Sequence, residues 1–283
     1  MSIWHVMLLA ILQGLTEFLP ISSSGHLALL ENLLGWARDE NLRSAMLPFN
    51  AILHFGTLIS IFAYFRADLL AMFVQKRASP SEAHVTQDGG VGSCRSRVDR
   101  SWLFLILVAN VPTGIIGLWL ERSGVAERAT ASMLAVGFML AFTAILLLLS
   151  DWMAAKGRGV ELSIWRALIV GCAQGLAVLP GLSRSGATIA VGLITGLDKD
   201  AAVKFAFLVS VPSVIGATVL ELKGLLPSAH MSIPHIAIGC VIAAIVGYVA
   251  IGVVVRAVNL RRLTWFALYC FVVSGVAIAL WWH

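Results

Sequence analysis

Two stretches of this chain break otherwise apolar runs at matching points. The first is Gln13-Gly14-Leu15-Thr16-Glu17-Phe18-Leu19-Pro20-Ile21-Ser22-Ser23-Ser24-Gly25-His26. The second is Gln174-Gly175-Leu176-Ala177-Val178-Leu179-Pro180-Gly181-Leu182-Ser183-Arg184-Ser185-Gly186-Ala187-Thr188. Aligning Gln13 with Gln174 places Gly14 on Gly175, Leu15 on Leu176, Ser22 on Ser183, Ser24 on Ser185 and Gly25 on Gly186; only the Leu-Pro pair slips, by one residue. Apolar composition alone does not produce matches at polar and glycine positions, so the chain reads as two copies of one unit.

The residues between these stretches are 59% hydrophobic over the whole chain and only 12% charged, with a mean hydropathy of +0.90. Soluble domains carry about 25% charged residues, so the composition indicates a polytopic membrane protein. The net charge of +5 lies in short loops between apolar runs, which is the positive-inside pattern; no nucleic-acid partner is expected. Cys172, Cys240 and Cys270 fall in apolar segments and Cys94 in a polar loop, so neither a disulfide framework nor a metal spacing follows. The N-terminus lacks a basic region and is interrupted by Gln13 and Glu17, so no cleaved signal peptide is expected.

A helix needs about 20 apolar residues to cross a bilayer. Six runs qualify, near 48–66, 102–120, 131–150, 203–222, 233–255 and 264–282. Residues 3–36 and 165–197 are instead pairs of short arms, broken at Pro20-Ile21 and Pro180-Gly181. The arm 165–179 makes about 23 Å of helix, too short to cross comfortably, so each pair reads as a re-entrant helical hairpin. Each half is then one hairpin followed by three spans, and an odd number of crossings inverts the second copy. The expected architecture is all-α: one integral membrane domain over 1–283, with repeat 1 at about 1–150, repeat 2 at about 165–283 and a flexible cytoplasmic loop at 78–100.

The basic residues orient this scheme. One face holds Arg38, Arg43, Arg122, Arg128 and Lys223. The other holds Arg66, Lys76, Arg77, Arg95, Arg97, Arg100, Lys156, Arg158, Arg166, Lys199, Lys204, Arg256, Arg261 and Arg262, which makes it cytoplasmic. Both termini and the mouth of the first hairpin then face outward.

The two breaks carry chemistry. Gln13 and Glu17 share a face of the first arm, and Glu17 stands near that helix's C-terminal end, where the dipole disfavours its charge and calls for a metal ion or an arginine. After Pro20, Ser22-Ser23-Ser24 can cap the second arm, whose free N–H groups form an anion site, and His26 lies one turn on. At the second break Arg184 stands between Ser183 and Ser185, and its forked guanidinium suits phosphate oxygens. A phosphate carrying a lipid tail, with a divalent cation, fits this set. Each group also has a plainer reading: hydroxyls bonded back to their own helix, His26 as a helix–helix hydrogen-bond partner, Glu17 with Arg184 as a buried ion pair, and His54 and Thr188 as structural or as supports behind the groups that touch the ligand.

With these motifs in view, the chain resembles the undecaprenyl-diphosphate phosphatase family of the bacitracin-resistance type over essentially its full length. That family is marked by an (E/Q)xxxE segment leading into a serine-rich Gly-His turn and by PGxSRSxxT, here Gln13 to Glu17, Ser22 to His26 and Pro180 to Thr188. The resemblance implies removal of the terminal phosphate from undecaprenyl diphosphate at the outer face of the bacterial inner membrane, recycling the lipid carrier for cell-wall synthesis. It implies Glu17 as essential carboxylate, Ser23 as nucleophile, His26 as proton-transfer group and Arg184 as phosphate ligand, with Ser22, Ser24, Gly181, Ser183, Ser185 and Thr188 around the substrate. It also implies dependence on Mg²⁺ or Ca²⁺ at Glu17 and Gln13, the latter replacing the first glutamate of the two-carboxylate form. Membrane lipids and a polyprenyl diphosphate are the expected partners; a homodimer stays open. A polyprenyl-phosphate transporter is the rival, since paired hairpins and half-helix anion sites also build transporters.

Overall fold

Apolar runs in this protein form helices up to the point where a proline or glycine stops them. The computed structural model describes residues 2–36, 40–73, 98–154, 159–225 and 233–282; among them every regular element is helical apart from one isolated β-bridge, Val160 with Leu197. In chain order the helices are α1 (Ile3–Phe18), α2 (Ser23–Leu33), α3 (Glu40–Tyr64), α4 (Arg66–Phe73), α5 (Arg100–Arg122), α6 (Val125–Thr130), α7 (Met133–Ala154), α8 (Ile164–Leu176), α9 (Arg184–Ile194), α10 (Lys199–Leu225), α11 (Ile233–Asn259) and α12 (Leu263–Trp282). Of the expected loop 78–100, residues 78–97 lie outside the described residues, and Asp99 caps α5 by accepting from the Ser101 amide at 2.9 Å.

Helices α5, α7, α10, α11 and α12 are long and apolar enough to cross a membrane, and the pair α3–α4, bent by 72°, makes a sixth candidate. These are the six runs read from hydropathy. The other two regions are broken where expected. Leu19, immediately before Pro20, leaves helical geometry at φ −61° and ψ 139°, as a residue preceding proline is pushed to do. The second break runs through Pro180-Gly181 to the cap Ser183.

Packing follows a reciprocal order: α1 lies along α11 and α8 along α5, α3 packs on α11 and α10 on α5, and α7 pairs with α12. Small residues permit these approaches, since apolar lipid offers no hydrophobic drive between helices. A Cβ on Gly171 of α8 would overlap the Ala109 carbonyl of α5, and one on Gly14 of α1 would sit 2.9 Å from the Ala243 carbonyl of α11. Pro112 and Pro212 lie inside α5 and α10 without ending them. The Val209 carbonyl, in the turn before Pro212, accepts from Asn110 Nδ2 at 3.1 Å and Gln174 Nε2 at 3.3 Å, so neighbouring helices serve the polar backbone there. Lys204 is buried between Asp68 and Asp200, at 3.1 and 2.9 Å, which ties α4 to α10. Large apolar side chains such as Trp4, Phe104, Ile115, Trp165 and Val272 stand exposed on the outer faces, as a lipid-solvated surface requires.

The α5–α8 crossing has no room for a larger residue. Gly171→Val is expected to destabilise the fold by about 1–3 kcal/mol through overpacking, read as a lowered thermal unfolding midpoint in detergent.

Candidate active site

The two breaks meet. A Cβ on Gly25 would lie 3.2 Å from Gly181 Cα, one on Gly186 3.3 Å from Pro20 Cβ, and Ser185 Oγ donates to the Leu19 carbonyl at 3.2 Å. Each break restarts its helix behind a serine cap, with Ser22 at φ +72° and Ser183 at φ −72°. Ser22 caps α2 by accepting from the Gly25 amide at 3.2 Å, and Ser183 caps α9 by accepting from the Gly186 amide at 3.1 Å. The first helical residue after the cap is Ser23 in one copy and Arg184 in the other. Equivalent backbone positions therefore present a hydroxyl and a guanidinium to one place.

That place is the carboxylate of Glu17, whose side chain is only 8% exposed. Its Oε2 accepts from Ser23 Oγ at 2.9 Å and from Gln13 Nε2 at 3.0 Å. Its Oε1 stands 3.7 Å from Arg184 Nη1 and 3.6 Å from His54 Nδ1. Arg184 Nη1 is buried and makes no hydrogen bond, so the guanidinium approaches the carboxylate without being consumed by it. A cleft opens from this polar end between Phe18, Leu58, Ile61, Phe207 and Val214, with Thr57, Ser185 and Ser210 also on its wall.

The remaining expected residues occupy distinct positions. Ser22 is held at φ +72°, a conformation that non-glycine residues seldom adopt, immediately before Ser23. Ser24 is exposed and touches Ser22 Oγ at 3.3 Å. His26 does not meet Ser23: its Nδ1 donates to the Ser22 carbonyl at 2.7 Å, and its Nε2 pairs with the Tyr269 hydroxyl at 2.8 Å, the two rings stacked 5.5 Å apart. Thr188 bonds back to the Arg184 carbonyl at 2.8 Å, and the Ser183 amide donates to Thr143 Oγ1 at 3.0 Å. These hydroxyls build the second tip. Gly181 sits at φ +90° with its Cα so close to Val136 that a Cβ would overlap that carbonyl.

Among the described residues no group of three or more His, Cys, Asp or Glu converges on one point. The site nevertheless fits a hard cation of the kind that is completed by phosphate oxygens, which asks the protein for one or two oxygen ligands. Glu17 supplies one, and Gln13 Oε1 is buried without a hydrogen-bond partner.

Comparison with known proteins finds relatives over nearly the whole chain. The family model described as bacitracin resistance protein BacA matches residues 6–276. The chain belongs to that family. It is 42% identical over 275 residues to the undecaprenyl-diphosphatase of Desulfosudis oleivorans, covering 95% of each chain. It is 39% identical over 284 residues to the undecaprenyl-diphosphatase of Halothermothrix orenii, covering 99% of this chain and 98% of the other. A protein of the same name from Methanobrevibacter smithii is 35% identical over 277 residues, covering 97% and 96%.

Two residues at the site were not singled out as functional by the sequence. His54 sits in an apolar run of α3 and Tyr269 in one of α12. An intramembrane polar residue was the only available signal, and it does not say which helix faces which. Because Gly181 combines positive φ with a backbone contact, Gly181→Ala is expected to cost about 1–3 kcal/mol. The measurements are thermal unfolding and the loss of any activity that depends on Arg184.

Proposed function

We propose that the protein hydrolyses undecaprenyl diphosphate to undecaprenyl phosphate and inorganic phosphate. One observation carries this reading: Ser23 already hydrogen-bonds the carboxylate to which the second hairpin delivers Arg184. An anion-binding transporter needs the arginine but has no use for a hydroxyl poised on a base. The activity named for the family's curated members supports the same substrate.

In the reaction Glu17 Oε2 takes the Ser23 proton while Oγ attacks the terminal phosphorus. The anhydride P–O bond breaks, and undecaprenyl phosphate leaves with the bonding electrons and receives the proton from Glu17. Glu17 then takes a proton from a water that attacks the phosphoserine, and returns it to Oγ as inorganic phosphate departs. Arg184, with the free amides at the starts of α2 and α9, stabilises the charge on the transferring group. Glu17 and Gln13 would hold the Mg²⁺ or Ca²⁺ ion, which supplies charge neutralisation to the diphosphate. His26 acts on the turn: its Nδ1–H holds the Ser22 carbonyl and so fixes the strained residue that aims Ser23.

The reciprocal packing of α1 on α11 and α8 on α5 supports an inverted repeat with re-entrant hairpins, and the excess of basic residues on one face supports an outward-facing site at the inner membrane.

The test is phosphate release from undecaprenyl diphosphate by detergent-purified protein. Ser23→Ala and Arg184→Ala are each expected to lower kcat at least about 100-fold, and Glu17→Gln by about 10²- to 10⁴-fold, because the amide keeps the shape but cannot accept the proton. EDTA is expected to abolish release and Mg²⁺ to restore it. Wild-type turnover in Ser23→Ala would exclude the serine nucleophile.

A further inference from the structure

The second tip is seated on α7 as well as on its own hairpin. Val136, Met139 and Thr143 are spaced by three and four residues, which is one face of that helix, and all three meet the break between α8 and α9. A Cβ on Gly181 would overlap the Val136 carbonyl and sit 3.0 Å from Met139 Cβ, so the backbone of the break lies directly on this face. Thr143 is fully buried and adds polar ties. Its oxygen accepts from the Ser183 amide at 3.0 Å, and its one hydrogen is shared between the Met139 carbonyl at 3.0 Å and the Gly181 carbonyl at 3.2 Å. The two tied backbone groups flank Leu182, and the next residue after them is Arg184. The first tip is held differently. With Gln13 aligned on Gln174, Gly181 falls on Pro20, whose carbonyl meets Cys270 Sγ of α12 at 3.6 Å. A thiol is a weak donor and a weak acceptor. The copy with the hydroxyl keeps its cap, Ser183, in ordinary extended geometry, whereas Ser22 stands at φ +72°.

We infer that Thr143 is a positioning residue for the phosphatase reaction: by bridging the Gly181 carbonyl and the Ser183 amide it fixes the backbone from which Arg184 reaches the transferring phosphate. The role rests on the phosphatase reading given above. Arg184 depends on such support because Nη1 makes no hydrogen bond and stands 3.7 Å from Glu17 Oε1, too far for one, so the backbone beneath the side chain sets its place. Valine has the shape of threonine but can neither accept from Ser183 nor donate to Gly181, and it leaves a buried N–H unpaired. Serine keeps the hydroxyl and loses only a methyl group.

The experiment compares Thr143→Val with Thr143→Ser in detergent-purified full-length protein, each checked for wild-type elution and thermal unfolding. Thr143→Val is expected to lose roughly 10- to 100-fold in kcat/KM on undecaprenyl diphosphate, and Thr143→Ser to recover most of that loss. Thr143→Val is then combined with Arg184→Ala. A residue that acts through Arg184 has little left to lose in that background, so the added loss is expected to fall to about 3-fold or less; a residue that only held the fold would cost the same factor in both backgrounds. Equal losses in the two backgrounds, full kcat/KM in Thr143→Val, or a Thr143→Ser enzyme no faster than Thr143→Val would overturn the inference. A second readout needs no turnover: calorimetric binding of inorganic phosphate is expected to weaken in Arg184→Ala and Thr143→Val and to persist in Thr143→Ser. Wild-type phosphate affinity in Thr143→Val would overturn the inference. A wild type that binds phosphate in the expected pattern yet releases none from undecaprenyl diphosphate would uphold the role of Thr143 and count against the phosphatase reading alone.

Discussion

A carboxylate buried at the end of a half-helix is the constraint on which this structure turns. Glu17 lies where its own helix dipole disfavours negative charge, and taking an ion out of water costs several kcal/mol unless other groups replace the water. α1 carries no cation that could do so. The compensation comes from elsewhere: a hydroxyl across the Pro20 break, an amide one turn back that is itself held from α3, and a guanidinium from the second hairpin. The meeting of the tips at Gly25 and Gly181, the serine caps and the left-handed glycine all serve to bring Arg184 to that carboxylate.

The two copies share a scaffold and divide the labour. Ser23 and Arg184 occupy the same first-turn position behind serine caps, so matching helix starts present a hydroxyl in one copy and a guanidinium in the other. Glu17 corresponds to Val178, which leaves the second break without a carboxylate. Gln13 and Gln174 are equally buried, yet Gln13 serves Glu17 while Gln174 bonds Thr113 Oγ1 and the Val209 carbonyl at a helix crossing. The same residue type bonds a carboxylate in one copy and a helix crossing in the other because only one of them has a carboxylate a turn away.

Much of this was legible in the chain. Spans follow from hydropathy summed over about 20 residues, and the breaks follow from Pro20 and Pro180-Gly181, because both signals are local. The members of the site were legible as types for the same reason: charge and hydroxyls at two interruptions of apolar sequence have few structural uses. Their pairing was less so. Ser22, Ser23 and Ser24 are neighbours whose side chains leave the helix about 100° apart, and only packing decides that Ser23 faces Glu17, Ser22 caps and Ser24 is exposed. The expected meeting of Ser23 with His26 gives way to His26 with Tyr269, a contact across 243 residues that no local pattern encodes.

What the sequence determined by itself was the kind of object: an all-helical membrane protein, two related halves, two broken regions and the polar groups they carry. Each depends on residue chemistry within one or two helical turns. What the tertiary structure alone decided was which of those groups touch. Glu17 rather than His26 receives the Ser23 hydrogen bond, Gln13 meets His54 from 41 residues away, and Arg184 reaches across from the second hairpin with a nitrogen still unbonded. Such contacts are set by the angles and distances at which helices cross, and those depend on the small residues and carbonyls of the whole bundle at once.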